Sequence, residues 1–251
     1  MATDVAFPRE HASRSIDVPG RRYDHYFFSS MALVMLATVF IGFAHSYYLA
    51  GVFRAPLPSA IIHLHGAVFS CWILLLVAQT SLVAAGRVDI HRRLGIAGFL
   101  LGCLMVVIGV LAATDSLVRS AGPVDQDAKA FLIVPLTDML IFATVLFFAF
   151  RARRDAAAHK RYIYVATTAL LIAAIARWPL AFSHRNPFGA GVVSFIFLFI
   201  LMGYDLWSTR RVHRATLWAS AFLIFVQLIR FPIAQTAVWH QFATWAQSQA
   251  R

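Results

Sequence analysis

Residues 94–113 read LGIAGFLLGCLMVVIGVLAA, twenty positions without a charge or a histidine. As a helix this run is about 30 Å long at 1.5 Å per residue, the thickness of a bilayer's hydrocarbon core. His91-Arg92-Arg93 precedes it and Asp115 follows it, as expected where a chain re-enters the headgroups. Six further apolar runs lie outward from it, at 27–50, 61–85, 131–150, 162–182, 190–207 and 215–237. The breaks between runs are polar: GRVDIHRR at 86–93, RARRDAAAHKR at 151–161, SHRNPFG at 183–189 and STRRVHR at 208–214. Residues 51–60 carry Gly51, Arg54, Pro56 and Pro58, and 114–130 carry Asp115, Arg119, Gly122, Pro123, Asp125, Asp127 and Lys129. No strand alternation of barrel type occurs, so spanning segments must satisfy their backbones as helices. The expected fold is all-α, a polytopic membrane bundle of seven transmembrane helices over 27–237. A polar cytoplasmic N-terminal segment (1–26) precedes it. An interfacial tail (238–251) follows, in which Trp239, Phe242 and Trp245 recur every three residues.

Composition agrees. Of 251 residues, 60% are hydrophobic and 13% charged, and mean hydropathy is +0.71. A soluble domain has about 25% charged residues, so a soluble enzyme, a disordered tail and a disulfide scaffold are excluded. The net charge of +11 comes from 20 Arg and 2 Lys in short clusters between apolar runs. That is a topology signal rather than a basic face for nucleic acid, so no nucleic-acid partner is expected. The N-terminus and the second, fourth and sixth loops hold 15 of the 22 positive residues, the other side 7. This predicts a multi-pass protein of a bacterial inner membrane, N-terminus cytoplasmic and C-terminus outside. Residues 1–26 have no apolar core with a cleavage site, so no cleaved signal peptide is expected. Cys71 and Cys103 fall inside apolar runs and read as buried small hydrophobes.

An internal repeat is visible. The odd-numbered helices begin at His25, His91, His159 and His213, and the even ones carry Gln79, Asp138 and Asp205. His159 is followed 18 residues on by Arg177-Trp178-Pro179, and His213 17 residues on by Arg230-Phe231-Pro232. One leading helix and three repeated hairpins account for this. The repeat predicts equal depth for the two Arg-aromatic-Pro segments, with each proline ending or kinking its helix.

Ionisable groups inside apolar runs are the candidates for chemistry, because each needs a partner or a cavity. Asp138, Arg177, Arg230 and His65 all fall at outer-leaflet depth. They predict a polar pocket for a small anionic or quinone-like ligand. Internal pairing of Asp138 with an arginine is the structural alternative. His65, Trp72 and Gln79 recur every seven residues and share one face, so Trp72 and Gln79 join the candidate ligand set. His63 and His65, with His45, could offer imidazoles to copper or zinc. His45 with His65 could ligate one haem. Gly95, Gly98, Gly102 and Gly109 form a helix-packing stripe. No Walker loop, dinucleotide fingerprint, nucleophile elbow or zincin motif occurs. No lysine lies inside an apolar run, which excludes a retinal Schiff base.

His63-Leu-His65-Gly66, His91-Arg-Arg-Leu-Gly95, His159-Lys-Arg161, Arg177-Trp-Pro179 and Tyr204-Asp-Leu206 together resemble a family of uncharacterised proteobacterial seven-helix inner-membrane proteins. The resemblance covers nearly the whole chain and implies topology, with no activity to carry over. A distant similarity to membrane proteins of cytochrome oxidase assembly runs through the histidine-glycine elements. The expected function is a non-enzymatic binding or transport protein whose partners are the lipid bilayer, a small anionic or quinone-like ligand, and further copies of itself in an oligomer. The alternative is a metal- or haem-binding redox or assembly protein.

Overall fold

The computed structural model describes residues 23–56, 58–120 and 127–250. Most of the polar segment 1–26, and Gly122, Pro123 and Asp125 of the expected third loop, lie outside these residues. Among the described residues there is no strand. The chain runs through α1 (Asp24–Phe43), α2 (Ala60–Ala84), α3 (Val88–Val118), α4 (Ile133–Arg151), α5 (Ala156–Ile175), α6 (Pro187–Thr209), α7 (Arg214–Ala234) and α8 (Ala237–Gln249). A π-helical turn, Ala44–Tyr48, prolongs α1, and single helical turns occupy Ala50–Phe53 and Ala128–Phe131.

Among the described residues six helices are long and apolar enough to cross a membrane: Asp24–Tyr48, Ala60–Ala84, Val88–Val118, Ala128–Arg151, Pro187–Thr209 and Arg214–Ala234. The fifth run of the sequence becomes α5, which is not among them. Its first turns carry His159, Lys160 and Arg161, and it ends at Ile175, seven residues short of the expected boundary. Burial gives the reason. Twelve of its 20 residues are buried, and it packs on α1, α4, α6 and α7. A helix surrounded by protein need not match the apolarity of lipid.

The other helices pack on one another as neighbours in sequence, α1 on α2, α2 on α3, α3 on α4 and α6 on α7. The core runs through Met35, Met105, Ile141, Phe142, Leu171, Ile175, Leu198, Leu201 and Leu223. The outside is apolar too: Leu100 is 63% exposed and Phe225 64%. Such a surface is a liability in water and ordinary against acyl chains. Cys71 and Cys103 belong to it: expected as buried, both are exposed on α2 and α3. The glycine stripe of α3 admits α4 closely. A methyl at Gly102 would lie 2.4 Å from Leu146, and one at Gly109 2.3 Å from Met139.

The short turns 85–87, 152–155 and 210–213 gather the arginine clusters at one end with the start of α1, termed here the basic end. At the opposite end α8 lies across α3 and the turn before α4. Ala243 packs with Ala113, Leu117 and Leu132, and Trp239 Nε1 donates to the Lys129 carbonyl at 2.8 Å.

Candidate functional site

Two buried arginine–aspartate pairs organise the polar interior, and they differ in how completely they are satisfied. At the basic end, Asp205 on α6 is fully buried and accepts four hydrogen bonds. Arg161 on α5 donates Nε to Oδ1 at 2.8 Å and a second bond from Nη2. His213 donates its backbone amide to Oδ2 at 3.0 Å, and Thr216 its hydroxyl at 2.6 Å. Arg161 Nη1 donates to the Ala157 carbonyl at 2.7 Å. Asp205 thereby fastens three helices, and no lone pair is left wanting, the condition under which a buried pair is tolerated. Beside it Asp24 pairs with Lys160 and accepts from the Tyr204 hydroxyl at 2.7 Å, tying in α1. Arg161 was counted in the sequence with the surface charges; at 3% exposure it is an interior group.

The second pair lies toward the opposite end. Arg230 on α7 is completely buried and Asp138 on α4 is 7% exposed; Nη1 and Oδ1 are 2.8 Å apart. This pair is open. Arg230 Nε and Nη2 are buried without a hydrogen-bond partner among the described residues. So are both polar atoms of Gln227, one turn earlier on α7 and 1% exposed. Unmet buried donors cost about 1–3 kcal/mol each, more for charged groups. One turn further toward this end, a cleft of about 440 Å³ opens between α4, α6 and α7, its lining including Ile133, Val134, Phe188, Phe231, Ala234 and Gln235. Val134 stands four residues before Asp138 and Ala234 four after Arg230, so the cleft lies about one turn along both helices from the pair, which does not itself line it.

The other expected site residues do not join it. Arg177 is exposed in the turn after α5, where Nη1 donates to the Ala173 carbonyl and the guanidinium lies 4.5 Å from the Phe43 ring. The segment expected to match it, Arg230-Phe231-Pro232, continues inside α7 instead. Pro179 therefore lies beyond the end of its helix, whereas Pro232 is two residues inside its own. His65 stacks on Phe69 at 4.0 Å, with Nδ1 buried and without a hydrogen-bond partner among the described residues. Trp72 donates to Thr167 Oγ1 at 3.2 Å, a link from α2 to α5. Gln79 donates Nε2 to the His91 carbonyl at 3.2 Å, within the α2–α3 hairpin.

The expected metal ligands His45, His63 and His65 each lie against an aromatic ring. His45 stacks on Phe53, with ring centroids 4.6 Å apart, and His63 lies 5.7 Å from Tyr47. Among the described residues no three His, Cys, Asp or Glu side chains are placed to hold an ion. Asp115 does not reach Arg177 or Arg230; it pairs with Arg119 and accepts from Ser59 at 3.3 Å.

The hairpin histidines have a local role. His159 donates Nδ1–H to the Ala149 carbonyl across its hairpin at 2.9 Å. His213 caps α7, its Nδ1 accepting the Ala215 amide at 3.1 Å. Burial and the neighbouring Arg161 push the His213 imidazole below its usual pKa. In comparisons with known proteins, no family model, curated protein or solved structure matches this chain.

Proposed function

We propose that this protein binds a quinone-like ligand in the cleft one turn from Asp138 and Arg230, with its carbonyl oxygen accepting from Arg230 Nε or Nη2 and from Gln227 Nε2. The observation that carries this reading is the contrast between the two buried pairs. The Asp205 pair is closed and needs nothing more; the Asp138 pair leaves three donors inside the protein, one turn from a mostly apolar cleft walled by the same helices. Apolar walls with a few convergent polar groups are the usual composition of a small-molecule site. Charge balance favours the quinone over the anion. Asp138 already neutralises Arg230, and Arg177, the source of a surplus positive charge, stands elsewhere. A neutral acceptor therefore suits the site better than a carboxylate or phosphate.

The helices support a multi-pass integral membrane protein, and we extend this to seven spans with α5 as the seventh. Its 20 residues are about 30 Å long, and its neighbours shield its polar first turns. The positive-charge asymmetry places the basic end in the cytoplasm of a bacterial inner membrane, N-terminus inside and C-terminus outside. The cleft then opens in the outer leaflet, where a quinone's isoprenoid tail can lie among lipids. The resemblance to proteobacterial inner-membrane proteins is consistent with this placement.

The test is thermal unfolding of the purified protein in nanodiscs with added decylubiquinone. Wild type should be stabilised, and Gln235→Trp, at an exposed position of the cleft wall, should lose that response while remaining folded. Unfolding that does not respond to decylubiquinone in wild type, or an equal response in Gln235→Trp, would overturn the assignment.

A further inference from the structure

The hairpin histidines His91 and His159 come together at the basic end, away from the cleft. Their ring centroids are 6.4 Å apart and their planes stand at 83°. His91 is at the start of α3 and His159 at the start of α5, so the two hairpins meet through these rings. The hydrogen bond from His159 Nδ1–H to the Ala149 carbonyl sets the tautomer. In the neutral ring it leaves Nε2 as a lone-pair donor, the arrangement in which protein imidazoles commonly bind metals. His91 Nδ1 is buried and has no partner among the described residues, and the same holds for Gln79 Oε1, whose amide nitrogen is tied to the His91 backbone. One ring nitrogen and one amide oxygen thus lack a hydrogen-bond partner among the described residues where the two hairpins meet.

We propose that His91 and His159 bind a single copper(I) ion between them. The separation selects the geometry. Two metal–imidazole bonds of about 2.0–2.1 Å, with the depth of each ring added, place centroids roughly 6 Å apart when nitrogen–metal–nitrogen is straight. A tetrahedral angle would draw them closer. The charge selects the ion. Arg92 adjoins His91 and acts on it electrostatically, and no carboxylate does so. A singly charged ion meets less repulsion there than zinc(II) or copper(II), and imidazole is an accepted copper ligand. The step is simple coordination: two neutral imidazoles donate lone pairs, and no electron changes hands.

The protein in detergent is titrated anaerobically with copper(I) against a chromogenic copper(I) chelator, and X-ray absorption reads the bound ion. One copper per chain with two nitrogen ligands is expected. Binding should be lost in His91→Ala and in His159→Ala and kept in His45→Ala. Copper should also raise the unfolding temperature of wild type and of His45→Ala alone. Failure of wild type to retain copper(I), retention unchanged in both single variants, preference for zinc(II), or a spectrum without two-imidazole coordination would each overturn the proposal. If the alanine variants do not fold, the stoichiometry and absorption spectrum of wild type decide. The quinone experiment does not involve these residues, so each proposal can fail without the other.

Discussion

Replacing Asp138 by Asn removes the one carboxylate that, among the described residues, pairs with a completely buried guanidinium. Arg230 then keeps its charge with 0% exposure and no counterion. Breaking a buried pair in this way costs about 3–5 kcal/mol, and insertion scales for a central arginine give a similar figure of about 2.5–3.5 kcal/mol. Asp138→Asn should therefore destabilise the protein by about 3 kcal/mol or more. Removing both charges should cost much less, because replacing a whole buried pair by uncharged groups is often close to neutral. Asp138→Asn with Arg230→Met should recover about 2 kcal/mol relative to the sum of the single changes. Asp89→Asn is the control, since that side chain is 65% exposed and only 3.8 Å from an equally exposed Arg87; it should stay within about 0.5 kcal/mol of wild type. The assay is denaturant unfolding in micelles followed by circular dichroism. Additive single changes, or an Asp138→Asn as mild as Asp89→Asn, would refute the reasoning.

Other expectations follow from the packing and the basic-end network. Gly102→Val should lower stability by about 1–3 kcal/mol, because its side chain meets Leu146; an unchanged melt would show that α3 and α4 do not approach so closely. Thr216→Val should cost about 1 kcal/mol through the lost bond to Asp205, read in the same unfolding assay. His213 has a depressed pKa, so its neutral form is the one the fold favours. Its contribution is present above the ordinary histidine range, near pH 6.5, and is lost as pH falls below it and protonation of Nδ1 ends the cap on Ala215. His213→Ala should flatten stability between about pH 7 and pH 5, checked by melts across that window. Trp239→Phe should free α8 from the Lys129 carbonyl and hasten protease cleavage of the C-terminal segment.

The helices were legible because runs such as 94–113 are too long and too apolar to be anything else. The need of Asp138 for an arginine was legible for the same reason: an acid in such a run must find a cation. Which arginine was not. Helices that are apolar all round give little polarity contrast from which to phase their faces, so Arg177 and Arg230 looked equivalent although one lies in a turn and the other in the core. Arg161 was hidden by its company. It belongs to a cluster, RARRDAAAHKR, whose other cations mark a membrane boundary, and only the fold brings Asp205 to it. The spacing of Asp205, His213 and Thr216 was the available signal, since residues eight and eleven apart across a short turn can return to one carboxylate. The burial of α5 had a trace in Thr167 and Thr168, polar residues in mid-helix that a lipid-facing segment has little reason to carry.

The central claim is that the donors left open at Arg230 and Gln227 belong to a ligand. An electron cryo-microscopy map of the protein in nanodiscs with decylubiquinone tests this most directly. The account predicts a flat headgroup density in the cleft, with an oxygen within hydrogen-bond distance of Arg230 Nε or Nη2 and of Gln227 Nε2. Arg230 closed onto both oxygens of Asp138, with the quinone absent or elsewhere on the bundle, would contradict it.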